Sequence, residues 1–278
     1  MKKIAALIPS TLLFVFCGFA QDSVLFKMHY LQNHLYKQTV KQKTHTEINY
    51  SGRDELMQTL KERGIQNPTK TDQETSFKAA VTTGKLNDND IMPIEMSFVE
   101  PVYSNSAVII PANTKVLGSV SHYGIPQFDS VVADGMDEEF KKGFMVGMQS
   151  VLSQIKLPEK KMAKGDEFVQ KTPITIPLGL VTVKMDVTTT YKLIDFNDSE
   201  AYFDLLTVST ISMDADEKVA ATGGGEGSGK FVYNRLKDFP SLFNLSSTMD
   251  ITTEVSPMKI HLVLNNESEY NYEITSKD

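Results

Sequence analysis

The chain has 278 residues, and its 35 acidic and 28 basic side chains give a net charge of −7. An acidic chain without a basic cluster argues against nucleic acid and against anionic lipid headgroups as electrostatic partners. The single cysteine excludes an internal disulfide, but a chain of this length can bury a sizeable core without one.

The first twenty residues have the pattern of a secretory signal peptide. Two lysines precede an apolar run, and the small residues Gly18 and Ala20 stand at the positions that a leader peptidase reads. We therefore predict a signal peptide over residues 1–20 and cleavage between Ala20 and Gln21. No later run approaches the roughly 20 apolar residues that a membrane helix needs.

The only cysteine, Cys17, lies inside this leader, so the mature chain is expected to be exported without any thiol. A Gram-negative periplasm, or the extracellular medium, fits such a protein, and we expect it to be soluble after cleavage. A lipid anchor on Cys17 is the alternative. It is disfavoured because Phe16 stands where a lipoprotein signal has a small residue.

Period-two alternation dominates the mature chain and predicts antiparallel strands with one apolar face. The first long strand is Tyr36–Tyr50, in which Val40 and Ile48 share a face with uncharged Gln and Thr side chains, whereas lysines, His45 and Glu47 fall on the other face. A second long strand of the same kind runs over Val181–Leu193. Further strands are predicted at Glu74–Thr83, Met92–Tyr103, Ala201–Met213, Lys230–Tyr233, Ser246–Val255, Lys259–Leu264 and Glu269–Thr275.

Two helices interrupt the strands. A capping-box pattern from Ser51 precedes a short helix over Glu55–Arg63, and Gly64 is placed to end it. The longer helix runs about Met136–Ile155, with Asp134 as its cap and an apolar face that would pack on a sheet.

These elements predict a mainly β fold: a strongly curved antiparallel sheet or open β-barrel with one long packed helix and one short inserted helix. We expect a single domain over residues 21–278. Its halves, about 24–128 and 158–278, share an aromatic-led long strand and a later glycine-containing strand. They are candidates for a duplication joined by the helix 136–155, and chance similarity between strands is the alternative.

The glycine cluster from Gly223 to Lys230 approaches a phosphate-binding loop. Phe231 stands where that motif needs a hydroxyl, and a strand follows instead of a helix. We therefore interpret the cluster as a flexible loop.

Metal and catalytic motifs are equally incomplete. Acidic turns such as Asn87–Asp90 lack the full calcium loop, and the five histidines have no helical ligand spacing. Nucleophile-elbow and zinc-protease motifs are absent from the sequence. We predict no cofactor or metal, and we favour a non-enzymatic protein. A hydrolase with a dispersed site is the remaining enzymatic alternative, with His122 and His261 as its first candidates.

Methionines recur on the predicted strands and on the long helix, and thioethers adapt well to flexible apolar ligands. Ordinary core filling is the alternative interpretation. The residues predicted to line a ligand site between helix and sheet are Phe140, Phe144, Met148, Met185, Val187, Met213 and Met249.

The segment Leu157–Phe168 carries a proline, a lysine and then Gly165-Asp166 followed two residues later by an aromatic. With the long strand, the hairpin and the Gly227–Gly229 strand after it, residues 157–255 resemble a family of exported Gram-negative envelope proteins of unknown function. Phe168 stands where tryptophan is commoner in that family. The resemblance implies a curved antiparallel sheet similar to the open barrels of periplasmic lipoprotein carriers, with a helix over the concave side.

Two non-enzymatic functions follow from these observations. The first is binding of a lipid or other apolar molecule between sheet and helix in the envelope. The second is a structural module with a solid core that binds another envelope protein through a sheet edge or a loop.

Overall fold

The computed structural model describes residues 23–276 apart from six short segments, namely 105–106, 123, 155–158, 179–180, 213–219 and 256–257. The helices in this part of the chain are α1 (Asp54–Glu62) and α2 (Glu138–Gln154). The strands are β1 (Ser23–Phe26), β2 (His34–Gly52), β3 (Thr69–Thr83), β4 (Ile91–Phe98), β5 (Val102–Ser104), β6 (Ala107–Ile110), β7 (Lys115–Ser121), β8 (Gln127–Val132), β9 (Lys160–Ala163), β10 (Glu167–Leu178), β11 (Val181–Phe196), β12 (Glu200–Ser212), β13 (Ala220–Asn234), β14 (Phe239–Val255) and β15 (Met258–Ser276).

The protein is built on one large antiparallel sheet. Its strand order is β10-β11-β12-β13-β14-β15-β2-β3-β4-β7-β8, with β5 beside β3 and β6 beside β5. The sheet is curved and is not closed into a barrel. The predicted mainly β fold is therefore confirmed. Strands β1 and β9 form a separate two-stranded ribbon.

The long strands follow the predicted alternation. The strands β2 and β11 match their predicted ranges within a few residues at each end. The segments predicted as Lys259–Leu264 and Glu269–Thr275 are one strand, β15, because Asn265–Ser268 pair in register with β2 and keep the period of two. Conversely, the predicted strand Met92–Tyr103 divides into β4 and β5.

The helix caps differ from the prediction. The N-cap of α1 is Arg53, which makes no side-chain hydrogen bond to the helix, so the capping box is wrong. At the start of α2, Asp137 and not Asp134 accepts the backbone N–H of Phe140, at 2.8 Å. Asp137 stands three residues before that N–H, which is the reach of a capping carboxylate.

The glycine cluster is a strand, and its interpretation as a flexible loop was wrong. In β13 the four positions Gly223, Gly225, Gly227 and Gly229 face the same side of the sheet as Phe231. A Cβ atom at Gly229 would lie 1.9 Å from the carbonyl oxygen of the adjacent strand β14. Only a strand without side chains can approach its neighbours this closely.

This strand bends the sheet sharply. Cα atoms of β12 and β14 come within 8 Å of each other across β13. In a flat sheet, strands two apart would be separated by roughly 9.6 Å. The inward bend also buries Thr207 and Ser209 of β12, which are 7% and 8% exposed. Glycine kinks are a known means of curving a sheet.

The core lies at one end of the strands and on one face of the sheet. We call this end the base, the opposite end the tip end, and the face that carries Phe203, Phe231 and Tyr36 the inner face. The β1–β9 ribbon covers the base of β10–β13, where the fully buried Phe26 contacts four aromatic rings. Helix α2 packs at the β8 end, and its Phe144 joins the cluster around Phe98.

The edges of the sheet are shielded in three ways. At the β8 edge, Gln149 of α2 accepts the N–H of Phe128 at 3.0 Å and donates to the carbonyl of Pro126 at 3.1 Å. Its amide thus makes, at this point of the edge, the pair of hydrogen bonds that a neighbouring strand would make. The β10 edge contains Pro173 and Pro177, which supply no N–H to an incoming strand. The tip-end half of β3 carries charged side chains, which disfavour edge pairing.

We predict that Gly229→Ala destabilises the protein by about 2–3 kcal/mol or more, because the new methyl group would displace the backbone of β14. The matched control is Gly143→Ala in α2, where a Cβ would meet nothing within 4 Å. That change should raise stability by up to about 1 kcal/mol. Urea unfolding of both variants measures the difference, and equal effects would contradict a tight bend at β13.

Candidate ligand-binding face

The two faces of the sheet differ completely in charge. The inner positions of β2, β3 and β10–β15 in the described residues hold no Lys, Arg, Asp or Glu. The outer face carries cross-strand ion pairs, such as Lys70–Glu47 at 2.9 Å and Lys37–Glu273 at 3.7 Å. Exposed pairs of this kind contribute little stability each, but they keep this face in water.

A row of hydrogen-bonding side chains crosses the inner face halfway along the strands. We call it the polar row. Its members lie directly opposite one another in the register of eight neighbouring strands: Gln170, Thr189, Thr207, Gly227, Ser247, Asn266, Thr44 and Gln73. Except for the glycine, every member has a neutral hydroxyl or amide group, and most are half-buried.

Apolar side chains lie in the next two inner rows toward the tip end, interspersed with threonine, serine and glycine positions such as Thr46, Ser209 and Gly225. We call them the apolar patch, which consists of Ile48, Met185, Val187, Ile211, Met249, Ile251, Leu262 and Leu264. Met185 and Ile251 are buried and the others are half-buried. None of them belongs to the three core clusters of the described residues. The patch is thus apolar surface on the inner face that the cores at the base do not use.

The structure brings together only part of the predicted ligand lining. Met185, Val187 and Met249 lie on the apolar patch, whereas Met213 lies outside the described residues.

The helix residues of that prediction lie elsewhere. Phe144 and Met148 pack into the core cluster at the β8 end of the sheet, and Phe140 is 41% exposed. Since Met185 is on β11, near the opposite end of the strand order, the described residues show no site shared by helix and strands. A period of 3.6 identifies the apolar face of a helix but not the strand against which it packs.

His261 and His122, the first candidates of the hydrolase alternative, lie in two different environments, and His45 shares that of His261. His261 Nε2 lies 2.9 Å from Asp250 Oδ1, and His45 Nδ1 lies 2.6 Å from Asp72 Oδ1. Both are partly exposed cross-strand pairs on the outer face, and His45 and Asp72 line an open cleft together with Lys43, Glu74 and Glu267. His122 lies at the base, where its ring centroid is 4.7 Å from that of His29.

A charged cluster around Asp238 ties the N-terminal segment to the turn between β13 and β14. Asp238 accepts a hydrogen bond from the Tyr233 hydroxyl at 2.8 Å and pairs with Lys27 at 3.1 Å. His29 Nδ1 lies 3.5 Å from the same carboxylate. Burial, above all, lowers the pKa of His29, and neighbouring His122 adds to the effect, while Asp238 opposes it.

The side chains of the acidic turns accept hydrogen bonds from the backbone of the same turns. Asn87 Oδ1 accepts the N–H groups of Asn89 and Ile91, and Asn197 Oδ1 accepts that of Ser199. A further acidic stretch of the sequence, at 214–217, lies outside the described residues. Among the residues that the structure describes, no three His, Cys, Asp or Glu side chains are grouped so that they could hold a metal ion.

Neither helix in the described ranges has both the length and the apolar character needed to cross a membrane.

Comparisons with known proteins supply no assignment. No protein-family model matches the chain, and no curated protein matches it. A solved structure with some similarity is that of Ail, the attachment invasion locus protein of Yersinia pestis, which is 6% identical. The match covers 86% of this chain and 99% of Ail with a TM-score of 0.15, a level at which the likeness carries no argument. The family resemblance over residues 157–255 therefore stays a prediction.

The lowered pKa of His29 predicts a pH effect on stability. Below the unfolded pKa of about 6.5, His29 is protonated in the unfolded chain but stays neutral in the folded chain until the pH reaches its lower folded pKa. The free energy of unfolding therefore falls as the pH drops. The loss approaches 1.4 kcal/mol per pH unit for one proton. Unfolding at pH 7 and pH 5 should show a shallower loss for His29→Gln than for the unchanged chain. His45→Gln, at an exposed pair, is the control, and an equal change in both variants would contradict the assignment.

Proposed function

We propose that this protein is exported to the bacterial envelope and there binds the apolar part of a lipid on the inner face of its sheet, without catalysis. The observation that carries the proposal is the apolar patch. It lies on an uncharged face of an open sheet and outside the core clusters of the described residues.

The composition of the patch suits a flexible hydrocarbon chain. Two of its eight members are methionines, and the others are aliphatic, so the surface adapts to a ligand without demanding a fixed shape. Full burial of one aliphatic side chain is worth about 1.5–3 kcal/mol. Because the patch residues are already buried or half-buried, each contact contributes only part of this value, so micromolar binding, which corresponds to about 8 kcal/mol, requires a chain that covers most of the patch.

The alternative of docking through a sheet edge has less support. Gln149 occupies the N–H of Phe128 and the carbonyl of Pro126 at the β8 edge, and Pro173 and Pro177 interrupt the β10 edge. Pairing with a partner strand needs a row of unoccupied N–H and carbonyl groups.

Export predicts a defined N-terminus. Protein recovered from the envelope of its host should begin at Gln21, and N-terminal sequencing with intact-mass measurement will show this. A product that begins at Cys17 with added acyl mass would contradict cleavage after Ala20 and would support the lipid anchor.

Ligand binding predicts a difference between the two faces of β15. Leu264→Gln, on the apolar patch, should weaken binding of the neutral apolar dye N-phenyl-naphthylamine about tenfold, since a buried aliphatic contact is lost. The neighbouring Val263→Gln faces outward and should leave the affinity unchanged. Fluorescence titration measures both. An absence of dye binding, together with no co-purifying lipid in native mass spectrometry, would refute the proposed function.

A further inference from the structure

We propose that the ligand is an uncharged amphiphile, a single-chain lipid whose hydroxyl or amide headgroup binds at the polar row while its chain lies on the apolar patch. This inference rests on the proposed function, because it assumes that the inner face binds a lipid. It adds the chemistry of the headgroup and the direction in which the ligand lies.

The centre of the polar row is an organised hydrogen-bonding site. Asn266 Oδ1 accepts hydrogen bonds from Gln42 Nε2 at 2.9 Å and from Thr44 Oγ1 at 3.2 Å. Asn266 Nδ2 donates to Ser268 Oγ at 2.9 Å. These contacts fix the amide orientation, and Ser247 stands directly opposite Asn266 on β14. Amide and hydroxyl groups both donate and accept, so they complement a ligand that does the same.

The inner face offers nothing to a charged headgroup. The charged residues next in sequence to members of the row, among them Lys43 and Glu267, belong to the outer face, where Lys43 approaches Glu74 at 4.0 Å. An ionised headgroup on the inner face would lose hydration without gaining a counter-charge, which is far costlier than placing a hydrogen-bonded neutral group there. The net charge of −7 also disfavours the binding of an anionic ligand.

The register also sets the direction of the ligand. On β2 the inner residues toward the tip end are Thr44, Thr46 and Ile48, and on β15 they are Asn266, Leu264 and Leu262. At about 3.4 Å per residue, the apolar patch begins about 7 Å from the polar row and reaches about 14 Å from it. A single extended hydrocarbon chain spans this distance. Aromatic side chains fill the inner face toward the base, so the chain points toward the tip end.

The test compares three lipids of equal chain length as competitors of the bound dye: a monoacylglycerol, a fatty acid at neutral pH and a lysophosphatidylcholine. We expect the neutral monoacylglycerol to bind at least tenfold more tightly than the anionic fatty acid, with the zwitterion weaker than the neutral lipid. This comparison uses the unchanged chain and needs no variant to fold.

A variant with a new positive charge tests whether the headgroup binds at the polar row. Thr44→Lys places an ammonium group in the polar row and should reverse the preference in favour of the fatty acid. Asn265→Lys puts the same charge on the outer face of β15 and should change neither affinity more than about twofold. Thermal melts establish that both variants are folded.

The outcomes separate this inference from the proposed function. Dye binding with a preference for the neutral lipid and its reversal by Thr44→Lys supports both. Dye binding with equal affinity for neutral and anionic lipids, or with no effect of a folded Thr44→Lys, overturns the inference and leaves the proposed function standing. Failure of every probe to bind overturns both.

Discussion

Charge is sorted between the two faces of the sheet by a strict period of two, and this sorting constrains everything else in the structure. A slip of one residue in any long hairpin would exchange the faces of that strand. If β2 slipped, Lys41 and Lys43 would move onto the inner face, while Val40 and Ile48 would move into water. The cost of burying those ammonium groups fixes the register without a disulfide. The fixed register in turn aligns the polar row across eight strands.

Curvature comes from a different source. Side chains on a regular strand keep its neighbours at the usual spacing, whereas the inner positions of β13 have none from Gly223 to Gly229. The strands β12 and β14 therefore close over β13, and Thr207 becomes buried beside Gly227. The apolar patch lies on both sides of this bend, with one portion on β11–β12 and another on β14, β15 and β2. The second portion adjoins the best-organised part of the polar row.

The sequence predicted the elements better than it predicted their arrangement. Alternation in Tyr36–Tyr50 and Val181–Leu193 identified both faces of β2 and β11, because one strand alone carries that signal. The glycine strand was missed because its composition is typical of loops, and its role becomes visible only against the carbonyl groups of β14. Likewise, the polar row and the His29–Asp238 pair join residues that are distant in the chain. The uncharged Gln42 and Thr44 on the apolar face of β2 were the one local sign of that row.

The shielding of the sheet edges has a consequence for how this protein behaves at high concentration. Long, regular strands with unpaired edges tend to pair with strands of other copies and to form fibrils. Here, the carboxamide of Gln149 bonds the N–H of Phe128 and the carbonyl of Pro126 at the β8 edge, and Pro173 and Pro177 interrupt the β10 edge. Both ends of the strand order therefore disfavour the edge-to-edge addition of another copy.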